Sequence, residues 1–125
     1  MKKLIFAVLF ALAGSAGAAT NLTASCTAPT TRTSGVALAP SEIANYQSFY
    51  QLAGGTEQGP FVQTACSYSL PIAEGACIKA GAIFSVTATD TGGLVSDRAT
   101  VTLAGDACRP KSSPSAPTSF KVVVQ

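Results

Sequence analysis

The chain contains no histidine among its 125 residues. Histidine is the commonest general base and metal ligand near neutral pH, so a Ser-His-Asp or Cys-His catalytic site cannot be built from this sequence. The acidic residues are scattered among turn-rich segments, whereas a glycosidase holds two carboxylates across one bond. These acids are Glu42, Glu57, Glu74, Asp90, Asp97 and Asp106. The sequence therefore predicts a protein that is not an enzyme and has no catalytic residues.

Signals for cofactors and nucleic acids are also missing. The cysteines include no Cys-x-x-Cys pair, the spacing typical of zinc and redox sites. The glycine-rich stretches GGTEQG and TGGL do not lead from a strand into a helix, as phosphate-binding loops do. No cluster of basic residues provides the charge that a nucleic acid or an anionic membrane attracts. We therefore expect no metal, no cofactor and no nucleic-acid partner.

Residues 1–19 have the order of an export signal. Lys2 and Lys3 precede the apolar run LIFAVLFALAG, and the small-residue stretch SAGAA follows it. This order is typical of a secretory signal peptide, and the run of ~11 apolar residues is shorter than the about 20 that span a bilayer. We predict cleavage after Ala18 or Ala19. The mature protein would then be periplasmic or extracellular, without a membrane anchor and with equal numbers of acidic and basic residues.

The four cysteines all lie in the mature part of the chain: Cys26, Cys66, Cys77 and Cys108. An even number of cysteines in a small exported domain predicts disulfide bonds, here two. Four cysteines allow three pairings, and the sequence alone does not choose among them.

Apolar residues recur at every second position in several short segments. This alternation is typical of half-buried β-strands. The segments are LTASC, NYQSFYQL, CSYSL, IFSVTATD, RATVTLAG and SFKVVVQ, and stretches rich in Gly, Pro, Ser, Thr or Asp separate them. A mature chain of about 106 residues suits one domain. We therefore predict an all-β antiparallel sandwich of about seven strands over residues 20–108, a Pro/Ser linker over 109–118 and a C-terminal strand over 119–125.

The order of these pieces resembles bacterial fibronectin type III domains. CTAPTTRTSGVALAPSEIANYQSFY looks like their second strand, long loop and third strand, and SYSL looks like their fifth strand. IFSVTATDTGGLVSDRATVTL resembles their last two strands with the connecting loop, and APTSFKVVVQ resembles their first strand. The resemblance implies an immunoglobulin-like sandwich of two sheets, with the first strand displaced to the C-terminus in a circular permutation.

The chain departs from the family at core positions. Cys26 stands where the family usually has a core Trp, and Ser48 stands at a usually apolar position. Ala82 and Ile83 lie near the position of its core Tyr. Losing a large buried side chain costs ~3 kcal/mol or more, and two disulfides at ~2–4 kcal/mol each could offset that loss.

The resemblance also implies how the cysteines pair. In that topology the second and fifth strands are antiparallel neighbours, which brings Cys26 and Cys66 together at one pole. Cys77, before the sixth strand, and Cys108, after the seventh, would meet at the opposite pole. We therefore expect Cys26–Cys66 and Cys77–Cys108, with Cys26–Cys77 as the alternative.

Two loops would emerge together at one pole of such a domain, PTTRTSGVALAPSE and DTGGLVSD. Loops on a rigid sandwich are common sites of binding. The candidate binding residues on them are Arg32, Thr33, Asp90, Asp97 and Arg98. We expect a module for binding or scaffolding, with a protein or a cell-surface glycan as partner; simple strand connection is the alternative interpretation of these loops.

The C-terminal strand raises a question of pairing. The mature chain reaches the strand containing Leu22 almost at once, so the family's first strand has a match only at residues 119–125. Phe120, Val122 and Val124 would face the core. This tail could complete its own domain, insert into a neighbouring molecule, or be left over from an array of repeats.

The length of the linker favours the first arrangement, because residues 109–119 span about 36 Å when extended at ~3.3 Å per residue. We therefore expect the tail to pair within its own domain. Insertion into a neighbour would instead make the protein a structural subunit that self-associates by strand donation, which is the alternative function.

Overall fold

The computed structural model of the chain describes residues 11–13, 20–119 and 121–124. These residues form antiparallel strands joined by turns, with one short 3-10 turn at Pro40–Glu42. The strands are β1 (Ala11–Ala13), β2 (Asn21–Ser25), β3 (Ile43–Gln51), β4 (Glu57–Gln63), β5 (Ser67–Pro71), β6 (Cys77–Ile78), β7 (Ile83–Asp90), β8 (Ala99–Thr102) and β9 (Ala107–Cys108). Within the described ranges no helix has the length and apolar character needed to cross a membrane.

Seven of these strands form two antiparallel sheets. One sheet has the order β1-β2-β5 and the other has the order β4-β3-β7-β8, while β6 and β9 make a separate two-stranded ribbon. Leu22 and Ala24 of the first sheet share a buried cluster with Phe84 of the second. The fold is therefore an all-β antiparallel sandwich, as the alternating sequence pattern predicts.

The core lies between the two sheets and uses alternate positions of the central strands. Leu22 and Phe84 are each 1% exposed, and Val86 is 2% exposed. Burying an apolar side chain of this size contributes about 1.5–3 kcal/mol. Tyr46 is buried near Val86, and Ser48 is also buried; its hydroxyl forms a hydrogen bond of 3.1 Å with the side-chain oxygen of Gln63.

Two disulfide bonds connect the strands, with the pairing that the resemblance implies. Cys26–Cys66 packs beside the buried cluster of Tyr46, Val86 and Ala88. Cys77–Cys108 joins β6 to β9, where the two residues lie opposite each other in register. Two disulfides indicate an oxidising compartment, either periplasmic or extracellular.

Strand β4 is the element that the sequence pattern does not predict. Gly59 and Pro60 interrupt it, so the stretch AGGTEQGP has the composition of a turn. The structure instead pairs β4 with β3 at the edge of the sheet, where proline is tolerated. The register shifts between Ser48 and Tyr50, and Gly59 lies there with a φ of 115°. A Cβ on Gly59 would be 2.7 Å from the carbonyl oxygen of Ser48, so only glycine fits.

The strand beside β2 is β1, not the C-terminal tail. Ala11–Ala13 pairs with the half of β2 that ends at Ser25. Residues 121–124 form no strand, and Val122 and Val124 are 80% and 93% exposed. The expectation that the tail pairs with β2 of its own domain is therefore wrong for these residues, while Phe120 and Gln125 lie outside the described ranges. A short connection joins β1 to β2, so their pairing costs less loop-closure entropy than pairing the distant tail.

Candidate functional site: a pole of two tied loops

Two loops leave the sandwich at the same end. One runs over residues 27–42, between β2 and β3, and the other runs over residues 91–98, between β7 and β8; together we call them the loop pole. The register Ile43↔Asp90 puts the two loops side by side. The backbone N–H of Thr91 donates to the carbonyl of Glu42 at 2.9 Å, which joins them directly.

Arg32 and Asp90 form the main connection within the loop pole. The Arg32 guanidinium donates to the Asp90 carboxylate at 2.7 Å and to the Glu42 carboxylate at 3.4 Å. The Asp90 side chain is only 4% exposed, and its other oxygen accepts from the backbone N–H groups of Gly92 and Leu94. A buried carboxylate needs this many partners because an unpaired buried charge is costly.

The same contacts shift the protonation of the two acids. The hydrogen bond from Arg32, followed by that from the Leu94 N–H, holds the pKa of Asp90 below its usual value. The backbone N–H of Ala39 is the main cause that lowers the pKa of Glu42, and Arg32 adds to it. Both acids are therefore charged at neutral pH, and Arg32 joins them as a cation.

Hydrogen bonds also tie each loop to itself. In the first loop the N–H of Arg32 donates to the carbonyl of Val36 at 2.8 Å, and Thr31 forms a β-bridge with Ala37. Leu38 is 4% exposed and anchors the returning strand of this loop in the interior. The loop therefore has a defined backbone path instead of an open course.

The second loop is tied by the same kind of hairpin. The N–H of Asp90 donates to the carbonyl of Leu94, and the N–H of Ser96 donates to the carbonyl of Ala88. The hydroxyl of Ser96 forms two more bonds, accepting from the N–H of Ala88 and donating to the carbonyl of Asp97. Because Ser96 is 6% exposed, these bonds fix the base of the loop from the inside.

Three aliphatic side chains are left in solvent on this framework. Val36 is 53% exposed, Leu94 is 40% exposed and Val95 is 50% exposed. Exposed apolar patches mark binding sites, and these three side chains lie on two loops that the Arg32–Asp90 pair holds together. The sequence signal was apolar residues inside two turn-forming stretches, GVAL and GGLV, of the loops predicted as candidate binding loops, although these residues were not singled out there.

The candidate binding residues divide into three groups in the structure. Arg32 and Asp90 meet, but their charged groups face each other and tie the loops together. Thr33 and Asp97 are exposed on the loop pole. Arg98 belongs elsewhere: its side chain lies over the Phe49 ring, 3.8 Å from the centroid, and pairs with the Glu57 carboxylate across the outer face of the four-stranded sheet.

Apart from the loop pole, a group of aromatic residues lies where β4 and β5 approach each other. Tyr50 and Phe61 have ring centroids 5.7 Å apart, and Phe61 and Tyr68 have centroids 5.2 Å apart, in stacked arrangements. Tyr50 also contacts the buried Phe84 ring at 6.4 Å. These rings stack on one another, so they contribute to the packing of the sandwich edge. Phe61 was missed in the sequence because it lies in the interrupted strand β4.

No group of three or more His, Cys, Asp or Glu residues that could hold a metal occurs within the described ranges. The loop pole presents exposed aliphatic side chains on two loops whose backbone is held by hydrogen bonds. Comparison with protein-family models, with curated proteins and with solved structures gives no match to this chain.

Proposed function

We propose that this chain is an exported, non-enzymatic module of the fibronectin type III kind that binds another protein through its loop pole. One observation carries the proposal. Two loops held together by Arg32 and Asp90 keep Val36, Leu94 and Val95 in solvent. The sheet orders β1-β2-β5 and β4-β3-β7-β8, with both loops at one end, support the assignment to this kind of sandwich.

The tied loops suit binding because they are ordered before a partner arrives. Association costs free energy for every segment that must be immobilised, and a preorganised surface avoids part of that cost. The buried ion pair and the hairpin bonds fix the backbone of the loop pole without using its aliphatic side chains. These side chains are therefore free to enter an interface.

The chemistry of the surface favours a protein over a glycan. Sugar sites commonly present an open aromatic face, whereas the two loops of the loop pole, residues 27–42 and 91–98, contain no aromatic residue. The clustered aromatic rings lie on other strands and stack against each other. A cell-surface glycan is the other partner class that an experiment must separate from a protein.

Export is supported by two independent features. The basic and apolar start of residues 1–19 is typical of a secretory signal. The two disulfides fit an oxidising compartment. Mass spectrometry of the exported protein should give a chain that begins at Ala19 or Thr20, and a full-length membrane-bound species would contradict this part of the proposal.

A photo-crosslinking side chain at position 95 tests the binding site in cells that export the protein. The matched control is the same side chain at Val62, which is 64% exposed but lies on edge strand β4. We expect a discrete protein adduct from position 95 and none from position 62. Equal adducts at both positions, or adducts that disappear after enzymatic removal of glycans, would contradict a protein site at the loop pole.

The alternative function, a structural subunit that assembles by strand donation, is favoured by a separate observation. Residues 121–124 are exposed and carry three consecutive valines. This surface is independent of the loop pole, so both properties can belong to one molecule.

A further inference from the structure

We infer that removal of residues 1–19 bares the edge of β2 and that the C-terminal segment 121–124 of a second copy of this chain takes the place of β1. The inference rests on the proposed export, because cleavage is the event that opens the edge. It names the self-association site on each copy: β2 receives, and the tail donates.

The edge of β2 is covered by residues that the mature chain would not contain. Ala11–Ala13 pairs antiparallel with β2, in the register Ala11↔Ser25, Leu12↔Ala24 and Ala13↔Thr23. Cleavage after Ala18 or Ala19 takes this strand away. The N–H and C=O groups on that side of β2 then lose their partners, and an open edge of this kind pairs readily with another strand.

The open edge borders the core of the sandwich. Leu22 and Ala24 of β2 are 1% and 0% exposed. Both belong to the same buried cluster as Phe84 and Ile72. A new strand at this edge would therefore need apolar side chains at alternate positions to continue the covered surface.

The tail has this composition, and its side chains lie in solvent. Val122, Val123 and Val124 are 80%, 75% and 93% exposed. Valine is among the residues most enriched in strands, and Lys121 precedes this run. In an extended strand Val122 and Val124 face one side while Lys121 and Val123 face the other.

The alternation also limits the register, because only shifts by two residues keep the same side chains on the inner face. In an antiparallel pair, residues directly opposite each other share a face of the sheet. Inward-facing tail residues must therefore lie opposite inward-facing residues of β2. Val122 opposite Ala24 and Val124 opposite Leu22 satisfy this rule, and Val123 then lies opposite Thr23 on the outer face.

Contacts hold the start of the C-terminal segment near the Asn21 end of β2, whereas a tail that pairs with β2 of its own molecule must start at the Ser25 end. The N–H of Arg109 donates to the carbonyl of Ala76, and its guanidinium donates to the carbonyl of Ile72. The N–H of Ser112 donates to the Glu74 carboxylate. These contacts lie beyond the Asn21 end of β2, because Asn21 pairs with Pro71. An antiparallel partner of β2 must begin at the other end, near Ser25.

A return within one molecule would need the linker to run close to full extension. The register above places Lys121 opposite Ser25, and from Ser112 to Lys121 there are nine steps, which reach about 30 Å when fully extended. Climbing from the level of Thr20 to that of Ser25 takes about 17 Å at ~3.3 Å per residue, and moving from beside β5 to the far side of β2 adds two strand spacings of ~4.8 Å. The contacts at Arg109 and Ser112 take up three steps of the linker, about 10 Å, and the return would use most of the remaining length. A second copy can supply its tail without making this return.

Exchange between copies has two geometric outcomes. Two molecules that donate to each other form a closed dimer with two identical contacts, and one-way donation forms an open chain. In the closed dimer each β2 gains a partner strand and each tail leaves solvent, and in the open chain the same holds for all copies except those at the two ends. Both outcomes support the inference.

Pairs of engineered cysteines in the mature chain, residues 20–125, test the register between copies. Thr23→Cys and Val123→Cys lie opposite each other on the outer face, and they are placed on separate molecules that are mixed and oxidised. We expect a covalent heterodimer from this mixture. The matched control combines Val123→Cys with Thr102→Cys, an exposed position on edge strand β8 of the other sheet, and should give none.

Further variants in the same experiment define the results that would contradict the inference. A chain with both Thr23→Cys and Val123→Cys that closes only within itself would show that the tail serves its own domain, and no crosslink at all would show that it serves neither. The full chain with residues 1–19 retained should crosslink poorly, because β1 occupies the edge. If the exported protein keeps residues 1–19, export processing fails as proposed; if it is processed but does not crosslink, only strand exchange fails.

Discussion

Removing the Cys26–Cys66 disulfide should destabilise the domain more than removing Cys77–Cys108. The two bridges close separate loops, with sequence separations of 40 and 31 residues. The loop-closure relation for crosslinks converts these separations into about 3.9 and about 3.7 kcal/mol, so the entropic contributions are nearly equal. The difference between the two variants should therefore come from packing.

The surroundings of the two bridges differ. Cys26 and Cys66 are half-buried and pack against the cluster around Tyr46, whereas Cys77 and Cys108 are exposed. Truncating two half-buried side chains adds roughly 1 kcal/mol of lost apolar burial to the first variant. We expect losses of about 5 kcal/mol for Cys26→Ala/Cys66→Ala and about 4 kcal/mol for Cys77→Ala/Cys108→Ala.

The assay is equilibrium unfolding in urea of the mature protein and both variants, followed by far-ultraviolet circular dichroism and tyrosine fluorescence. The chain has three tyrosines and no tryptophan, so the fluorescence signal comes from the tyrosines alone. A domain of this size is usually stable by about 5–15 kcal/mol, so either variant should approach the limit of folding. The reasoning is refuted if both variants lose less than ~1 kcal/mol, or if the Cys77/Cys108 variant is the less stable one.

Three further predictions concern the loop pole, the core and the edge strand. Arg32 lowers the pKa of Asp90 in the folded state, so their pairing stabilises the folded protein above the ordinary carboxylate pKa of 3.8. This stabilisation is lost as the pH falls through the lowered pKa. The free energy of unfolding of Asp90→Asn should therefore depend less steeply on pH in acid than that of the parent. Phe84→Ala should cost about 3–5 kcal/mol in urea unfolding, while Val62→Ala on the exposed face changes it by less than ~0.5 kcal/mol. Gly59→Ala should lower Tm, since its φ of 115° and its close backbone neighbour leave no room for a Cβ; an unchanged Tm would contradict the structure of β4.

The parts of the fold that follow from the sequence are those with uninterrupted alternation. Strand β7 shows it, because Phe84, Val86 and Ala88 alternate with serine and threonine residues, and this strand pairs with β3 at the centre of the larger sheet. Strand β4 was not predicted because Gly59 and Pro60 have local conformational preferences that oppose a strand. In the structure, pairing with β3 overrides these preferences. Local composition could not reveal this, because the compensating contacts come from another strand.

The sequence predicted that the two loops lie at one pole, but it did not predict the ion pair that holds them together. Arg32 and Asp90 are separated by 58 positions, so their contact depends on the register between β3 and β7. Sequence reasoning therefore took both residues as binding groups, whereas the structure uses their charges to fix the loops. The exposed aliphatic residues beside them gave only a weak signal, since valine and leucine usually indicate a core.

The tail shows how two segments can share one pattern. Residues 119–125 alternate like a first strand, and the sequence offered no competitor once residues 1–19 were assigned to export. In the structure Ala11–Ala13 occupies that place. Export signals and β-strands both use small and apolar residues, so composition could not separate a segment to be cleaved from one that pairs before cleavage.

The most direct test of the central claim is the Kd of the partner protein captured at position 95, measured with the purified mature chain and its variants. Val36→Ser/Leu94→Ser/Val95→Ser should weaken binding at least tenfold, or about 1.4 kcal/mol, without lowering Tm. Val62→Ser should bind as the parent does, because it changes an equally exposed valine away from the loop pole. Equal affinities for the parent, the triple variant and the control would contradict binding through the loop pole.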